Sequence, residues 1–183
     1  NDNEYIDYNT RLMGEEYVAT IFKVADGKAV RLTTNIIKDG QRVVGTELAR
    51  ETYDKVAGSG KDYLGFAGIL GKEYFTIYSP VFDKDARTLR AILFVGVEAD
   101  TFMTRIKETL QDIEIGRTGG VFVADSQGKI VVRPERGNTG EYPREFLDAV
   151  ISGKDGAQVY WRQGKPYLAA FTVYDDLGWH IVA

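Results

Sequence analysis

Two stretches of the chain carry the same residues at the same spacing. Ser59-Gly60-Lys61-Asp62 is followed by Gly71-Lys72 and Tyr74, and Ser152-Gly153-Lys154-Asp155 is followed by Gly164-Lys165 and Tyr167. Every matched residue is displaced by 93 positions, Ser59 to Ser152, without a gap. A second shared pattern of strand, turn and strand lies upstream of each copy. In the first it is Ala19-Thr20-Ile21-Phe22, a turn at Asp26-Gly27-Lys28, then Val30 to Thr34; in the second, Gly120-Val121-Phe122-Val123, a turn at Ser126-Gln127-Gly128-Lys129, then Ile130 to Arg133. Each second strand carries one arginine, Arg31 and Arg133. Surface turns favour Ser-Gly-Lys-Asp on their own, but the ordered recurrence of all these elements is what duplication of one module leaves behind.

Periodicity supplies the elements of that module. Residues 4–14 read as a short helix ended by Gly14. Tyr17 to Val24 and Ala29 to Asn35 have strand composition around a Gly-containing turn, hence a hairpin. Thr46 to Ala57 is predicted to be helical, with Leu48, Thr52 and Val56 on one face. Leu64 to Leu70, Glu73 to Phe82 and Leu89 to Glu98 read as three more strands. Thr101 to Ile113 is predicted to be a connecting helix. Pro143 to Ile151 repeats the inserted helix, and Gln158 to Arg162, Tyr167 to Tyr174 and Trp179 to Val182 complete the second copy. Each half is then an antiparallel sheet with helix packed on it, an α+β architecture. The predicted boundaries are a first module at 1–100, a connecting helix at 101–114 and a smaller second module at 115–183.

Composition narrows the function. With 44% apolar and 27% charged residues, the 183-residue chain is globular. It carries 27 acidic against 23 basic residues, a net charge of −4. A nucleic-acid partner would call for a basic excess, so none is expected. Cysteine is absent and His180 is the only histidine, which removes thiolate nucleophiles and Cys- or His-rich metal sites. An enzyme is therefore the weakest class, and no cofactor or metal is expected. The longest apolar run, Ala91 to Val97, is far shorter than the roughly 20 residues that a membrane helix needs. The chain opens on Asn1 and stops in a strand-like Trp179 to Ala183, so it is expected to be an excised part of a longer protein.

Several motifs resolve into structure. Gly58-Ser59-Gly60-Lys61 looks like the end of a phosphate-binding loop, but position 55 is lysine where glycine is required and Asp62 stands where Ser or Thr would hold magnesium. Gly65, Gly68 and Gly71 lie in and just after a strand with no helix behind them, which points to close packing or a bulge. The pairs Glu15-Glu16 and Asp175-Asp176 flank turns and read as solvated surface. His180, between Trp179 and Ile181 in the last strand, reads as structural.

Tyr78-Ser79-Pro80-Val81-Phe82-Asp83 leading to Val95-Gly96-Val97, and Arg31-Leu32-Thr33-Thr34 paired with Val44-Gly45-Thr46-Glu47-Leu48, resemble the extracytoplasmic Cache sensor domains of bacterial chemoreceptors and sensor kinases. The second half, with Ile115 to Val123 and then Val132-Arg133-Pro134, is similar to the membrane-proximal Cache module. The whole resembles a double Cache type that fuses a citrate-sensor-like module to a second one. The resemblance implies two tandem PAS-like folds, each a five-stranded antiparallel sheet flanked by helices, with most of a long N-terminal helix missing. It implies a membrane-distal module that binds a small molecule, a membrane-anchored parent with this part in the periplasm or outside the cell, and a homodimer in the full receptor.

Within such a module, alternation separates Tyr74, Thr76 and Tyr78 from Phe75 and Ile77; the first set suits a pocket for a small polar ligand, the second suits helix packing. Arg31 stands where citrate-type modules place an arginine for a ligand carboxylate. Those modules continue with histidine and proline where this chain has Thr34 and Asn35, which counts against a tricarboxylate. The Tyr, Arg, Trp and Asp set that marks amino-acid-sensing double Cache domains is not recognisable. The expected ligand site is thus Arg31, Thr33, Thr34, Tyr63, Tyr74, Thr76 and Tyr78, with Tyr63 closing it from the helical side. Each residue also has a plainer reading, as an exposed strand charge, a cross-strand packing ring or a strand-forming threonine. Arg133 reads as structural, because the shorter second half is expected to leave less room for a cavity. Two other functions stay open: an interaction or dimerisation module with empty pockets, and a cytoplasmic PAS-type domain with haem or flavin, for which only His180 is available as a histidine ligand.

Overall fold

The computed structural model describes residues 2–85, 87–134 and 141–183. The chain divides into two compact units, Asn1–Phe102 and Met103–Ala183. The first begins with α1 (Asp2–Met13) and a hairpin of β1 (Tyr17–Ala25) and β2 (Lys28–Thr34). A small hairpin follows, β3 (Ile37–Lys38) and β4 (Gln41–Arg42), then α2 (Arg50–Ser59), β5 (Tyr63–Ile69), β6 (Lys72–Phe82) and β7 (Leu89–Glu98). The five long strands form one antiparallel sheet in the order β2-β1-β7-β6-β5.

From the end of β7, α3 (Ala99–Gln111) carries the chain into the second unit. There β8 (Glu114–Ile115) and β9 (Gly119–Gly120) pair, followed by β10 (Phe122–Ala124), β11 (Ile130–Val132), α4 (Arg144–Ser152), β12 (Gly156–Arg162), β13 (Lys165–Tyr174) and β14 (Trp179–Val182). Its sheet runs β11-β10-β14-β13-β12. Strand for strand this is the order of the first unit, with α4 in the place of α2.

The repeated residues mark equivalent joints. Ser59 and Ser152 each end the inserted helix. Gly71 and Gly164 sit second in two-residue hairpin turns, Leu70-Gly71 and Gln163-Gly164, where all four residues have positive φ between 49° and 84°. A turn of that hand matches the strand twist and requires glycine or a tolerated substitute. Even the irregularity recurs. Phe22 pairs with Arg31 while Ile21 pairs with Thr33, leaving Leu32 as an extra residue; Ala124 pairs with Ile130 while Val123 pairs with Val132, leaving Val131.

The first sheet has two differently covered faces. On one, Phe22, Ile92, Phe94 and Tyr78 are buried beside Val56 of α2. On the other, Thr33 donates to Asn3 Oδ1 of α1 at 2.8 Å, and Phe75 stacks on Phe102 with centroids 3.9 Å apart. In the second unit Phe122, Phe146, Tyr160 and Val182 are buried together.

Local propensity misled the reading at three points. The helix predicted from Thr46 begins at Arg50. Residues 45–48 instead zip along β2, through Arg31 N–H to Thr46 C=O at 2.9 Å and Leu48 N–H to Ala29 C=O at 2.8 Å. Leu48 does reach the core, but from extended chain. No bulge occurs in β5, whose register with β6 is continuous from Tyr63 to Ile69. The two short hairpins, β3–β4 and β8–β9, carried too few residues for an alternation signal.

Candidate ligand site

Between the α2 face of the first sheet and the segment that returns along β2 lies a cavity of about 420 Å³. Phe22, Phe94 and Tyr78 form its floor, Leu48 stands on the returning segment, and Ile36 and Val43 flank the β3–β4 hairpin before it. The bulge at Leu32 places Arg31 opposite Phe22, with its guanidinium 5.1 Å from that ring's centroid. Arg31 Nη1 donates to Val43 C=O at 3.4 Å and to the Thr46 hydroxyl. Its Nε is buried with no hydrogen-bond partner. Burial lowers the guanidinium's pKa from its ordinary value, opposed by the neighbouring Tyr78. The Tyr78 phenol is pushed up, chiefly by burial, with Arg31 and the Thr76 hydroxyl pulling the other way.

The seven expected site residues separate into three groups. Arg31 and Tyr78 line the cavity. Thr34, Tyr63, Tyr74 and Thr76 share their face of the sheet without lining it. Thr34 is spent on structure, its hydroxyl bonded to Thr20 Oγ1 at 2.8 Å and Ala19 C=O at 3.0 Å and accepting from Ile36 N–H. Thr76 donates to Gly65 C=O at 2.8 Å. Tyr63 stacks beside Tyr78 and accepts from Lys55 Nζ at 3.1 Å. Tyr74 lies opposite Glu98, its phenol raised by burial first and by that carboxylate second. Thr33 falls on the opposite face, against α1, because the extra residue at Leu32 inverts the alternation beyond it. Ala67 and Gly68 of β5 also line the cavity and were not expected to. A Cβ at Gly68 would meet nothing within 4 Å, so the close packing expected from the glycine spacing is corrected at this position.

A family model describing the Cache 3/Cache 2 fusion domain matches residues 1–183. The chain belongs to that family. Among solved structures, the sensory domain of the Campylobacter jejuni chemoreceptor Tlp3 aligns over 100% of this chain and 71% of its own, at 14% identity and a TM-score of 0.61. The extracellular domain of mmHK1S-Z2, described as a histidine kinase, aligns over 99% and 79%, at 14% identity and a TM-score of 0.58. These likenesses concern the fold. A search of the curated proteins finds no match.

The second unit of this Cache domain also holds a cavity, about 450 Å³, lined by Phe122, Tyr142, Tyr160 and Tyr167 with Thr118 and Leu168. The expectation that the shorter half leaves less room is corrected. Sheet and inserted helix recur in the same order, and the space beside them recurs too. The arginine does not. Counted from the bulge, Ile130 occupies the place of Arg31 and Arg133 that of Thr34, so the two arginines are not equivalent. His180 is buried in β14, and among the described residues no three His, Asp or Glu side chains gather to hold a metal.

Tyr142 in this second cavity is pushed up to about 12, by burial first and by Tyr160 second, with Arg162 and Arg133 opposing. A phenol raised above its unfolded value of 10 stabilises the fold in its neutral form. That contribution is complete below about pH 10 and is lost as pH rises toward about 12. Stability of the second unit, followed by urea unfolding across this window, is expected to fall more steeply in the native protein than in Tyr142→Phe. Equal slopes would remove Tyr142 as the cause.

Proposed function

We propose that this Cache domain is the extracytoplasmic ligand-sensing part of a transmembrane chemoreceptor or sensor kinase. The first unit acts as the membrane-distal module and holds a small anionic molecule against Arg31. The second acts as the membrane-proximal module, and the segment 101–114, which holds most of α3, connects them. The observation that carries this reading is a guanidinium in the wall of a cavity of ligand size, with no carboxylate bonded to it among the described residues. In support, the Tlp3 domain has also been crystallised with L-valine, again at 14% identity and a TM-score of 0.61. No helix of the described residues is long and apolar enough to cross a membrane, so the anchor is assigned to the parent protein.

Signalling needs no chemistry in this domain. A ligand that contacts the bound state better than the free state shifts the equilibrium by its differential affinity, and about 1–3 kcal/mol of coupling is sufficient. The full receptor is expected to work as a homodimer. The proposal is tested by calorimetry of the purified chain against carboxylates, amino acids and purines. Arg31→Met is expected to weaken the hit by about 10- to 100-fold, the worth of a hydrogen-bonded charge. A hit that survives Arg31→Met and Tyr78→Phe unchanged places the site elsewhere.

A further inference from the structure

We infer that the cavity of the first unit selects a carboxylate without an ammonium group, carried on an apolar body; this rests on reading that cavity as the sensor site. The charges on its wall decide the class. Both hydrogen bonds of Arg31 leave through Nη1 to neutral oxygens, and among the described residues its other donors make no hydrogen bond. A carboxylate can accept from Nη2 and gains the charge of the guanidinium, while Nε stays buried. Glu47 is the one acidic side chain among the described residues of the wall, and it is held by Lys28 at 2.8 Å. An ammonium beside Arg31 meets a like charge and, for a counter-charge, only Glu47, which is exposed and shared with Lys28. Such a surface pair is worth at most about fivefold in affinity, so the ammonium's desolvation is poorly offset. Lys38, the second cation on the wall, is exposed. A second carboxylate reaching it gains only a surface ion pair, at most about fivefold in affinity. Around these groups the wall is aromatic and branched aliphatic, from Phe22, Phe94, Tyr78, Ile36, Val43 and Leu48, which favours an apolar body over a polar one.

Two matched sets of probes separate the groups: isocaproate, leucine and isoamylamine, and hydrocinnamate, phenylalanine and phenethylamine. Titrated calorimetrically into this chain, the better-fitting acid is expected to bind at least about tenfold more tightly than its amino acid. Neither amine should register, and Arg31→Met, with an unchanged circular dichroism spectrum, should weaken the acid's binding by about 10- to 100-fold. An amino acid that binds as tightly as its acid, and does so through Arg31, overturns the ligand class and leaves the cavity as the sensor site. Acid binding that is indifferent to Arg31→Met overturns both. Silence from all six probes overturns the class alone, since the wider panel above decides the sensor reading.

Discussion

Phe146→Ala is expected to remove about 3–5 kcal/mol from the stability of the second unit. Phe146 is 3% exposed on α4. Its ring stacks on Tyr160 with centroids 4.1 Å apart and meets Phe122 edge-on at 6.4 Å. Truncation therefore forfeits ring burial and the aromatic contacts together, and opens a hole that a sheet and one helix cannot readily close. A unit this small has little stability in reserve, and a loss of that size takes most of it. Both tryptophans, Trp161 and Trp179, lie in this unit, and Trp179 is buried. Urea unfolding followed by tryptophan fluorescence reads the loss directly. Phe146→Leu, which keeps most of the volume, is expected to cost less than about 1.5 kcal/mol. A shift below about 1 kcal/mol for the alanine variant would show that the stacked rings are not the centre of this core.

The second large effect belongs to the first unit. Phe22 is 1% exposed, and it is both core residue and floor of the cavity under Arg31. Phe22→Ala should cost about 3–5 kcal/mol and also withdraw the surface on which the guanidinium rests. Arg31→Met, in contrast, should leave stability within about 1 kcal/mol while weakening the ligand about 10- to 100-fold. Hydrogen exchange separates the two. In Phe22→Ala, the amides of β1, β2 and β7 should lose protection together. Protection that survives in these strands would mean that the core does not depend on Phe22.

Much of the fold was legible because the module occurs twice. Gly71 and Gly164 recur since the same two-residue turn demands positive φ in each sheet, and Ser59 and Ser152 recur since each ends the same inserted helix. Alternation correctly set Tyr78 apart from Phe75. Thr33 and Thr34 were both expected in the site although strand neighbours face opposite ways, and the extra residue in β2 puts Thr33 on the face away from Arg31. Alternation also promoted Tyr74 and Thr76, which, like Thr34, lie on the cavity's face of the sheet but outside the cavity wall. Sharing a face is a property of backbone period, whereas lining a cavity depends on what stands opposite. The helical pattern at Thr46 to Ala49 failed for a related reason, because hydrogen bonds to the free edge of β2 outweighed a weak local preference.

The sequence by itself determined the duplicated α+β module, the absence of cysteine and of a second histidine, and a cation on the second strand. Period-two alternation, turn chemistry and residue inventory are local, and they survive without coordinates. Tertiary structure alone decided that Arg31 meets Phe22 and Tyr78 in an apolar cavity, that Glu47 is claimed by Lys28, and that Ile130 and not Arg133 is the counterpart of Arg31. Those facts turn on a bulge and on residues far apart in the chain, and only the folded register brings them together.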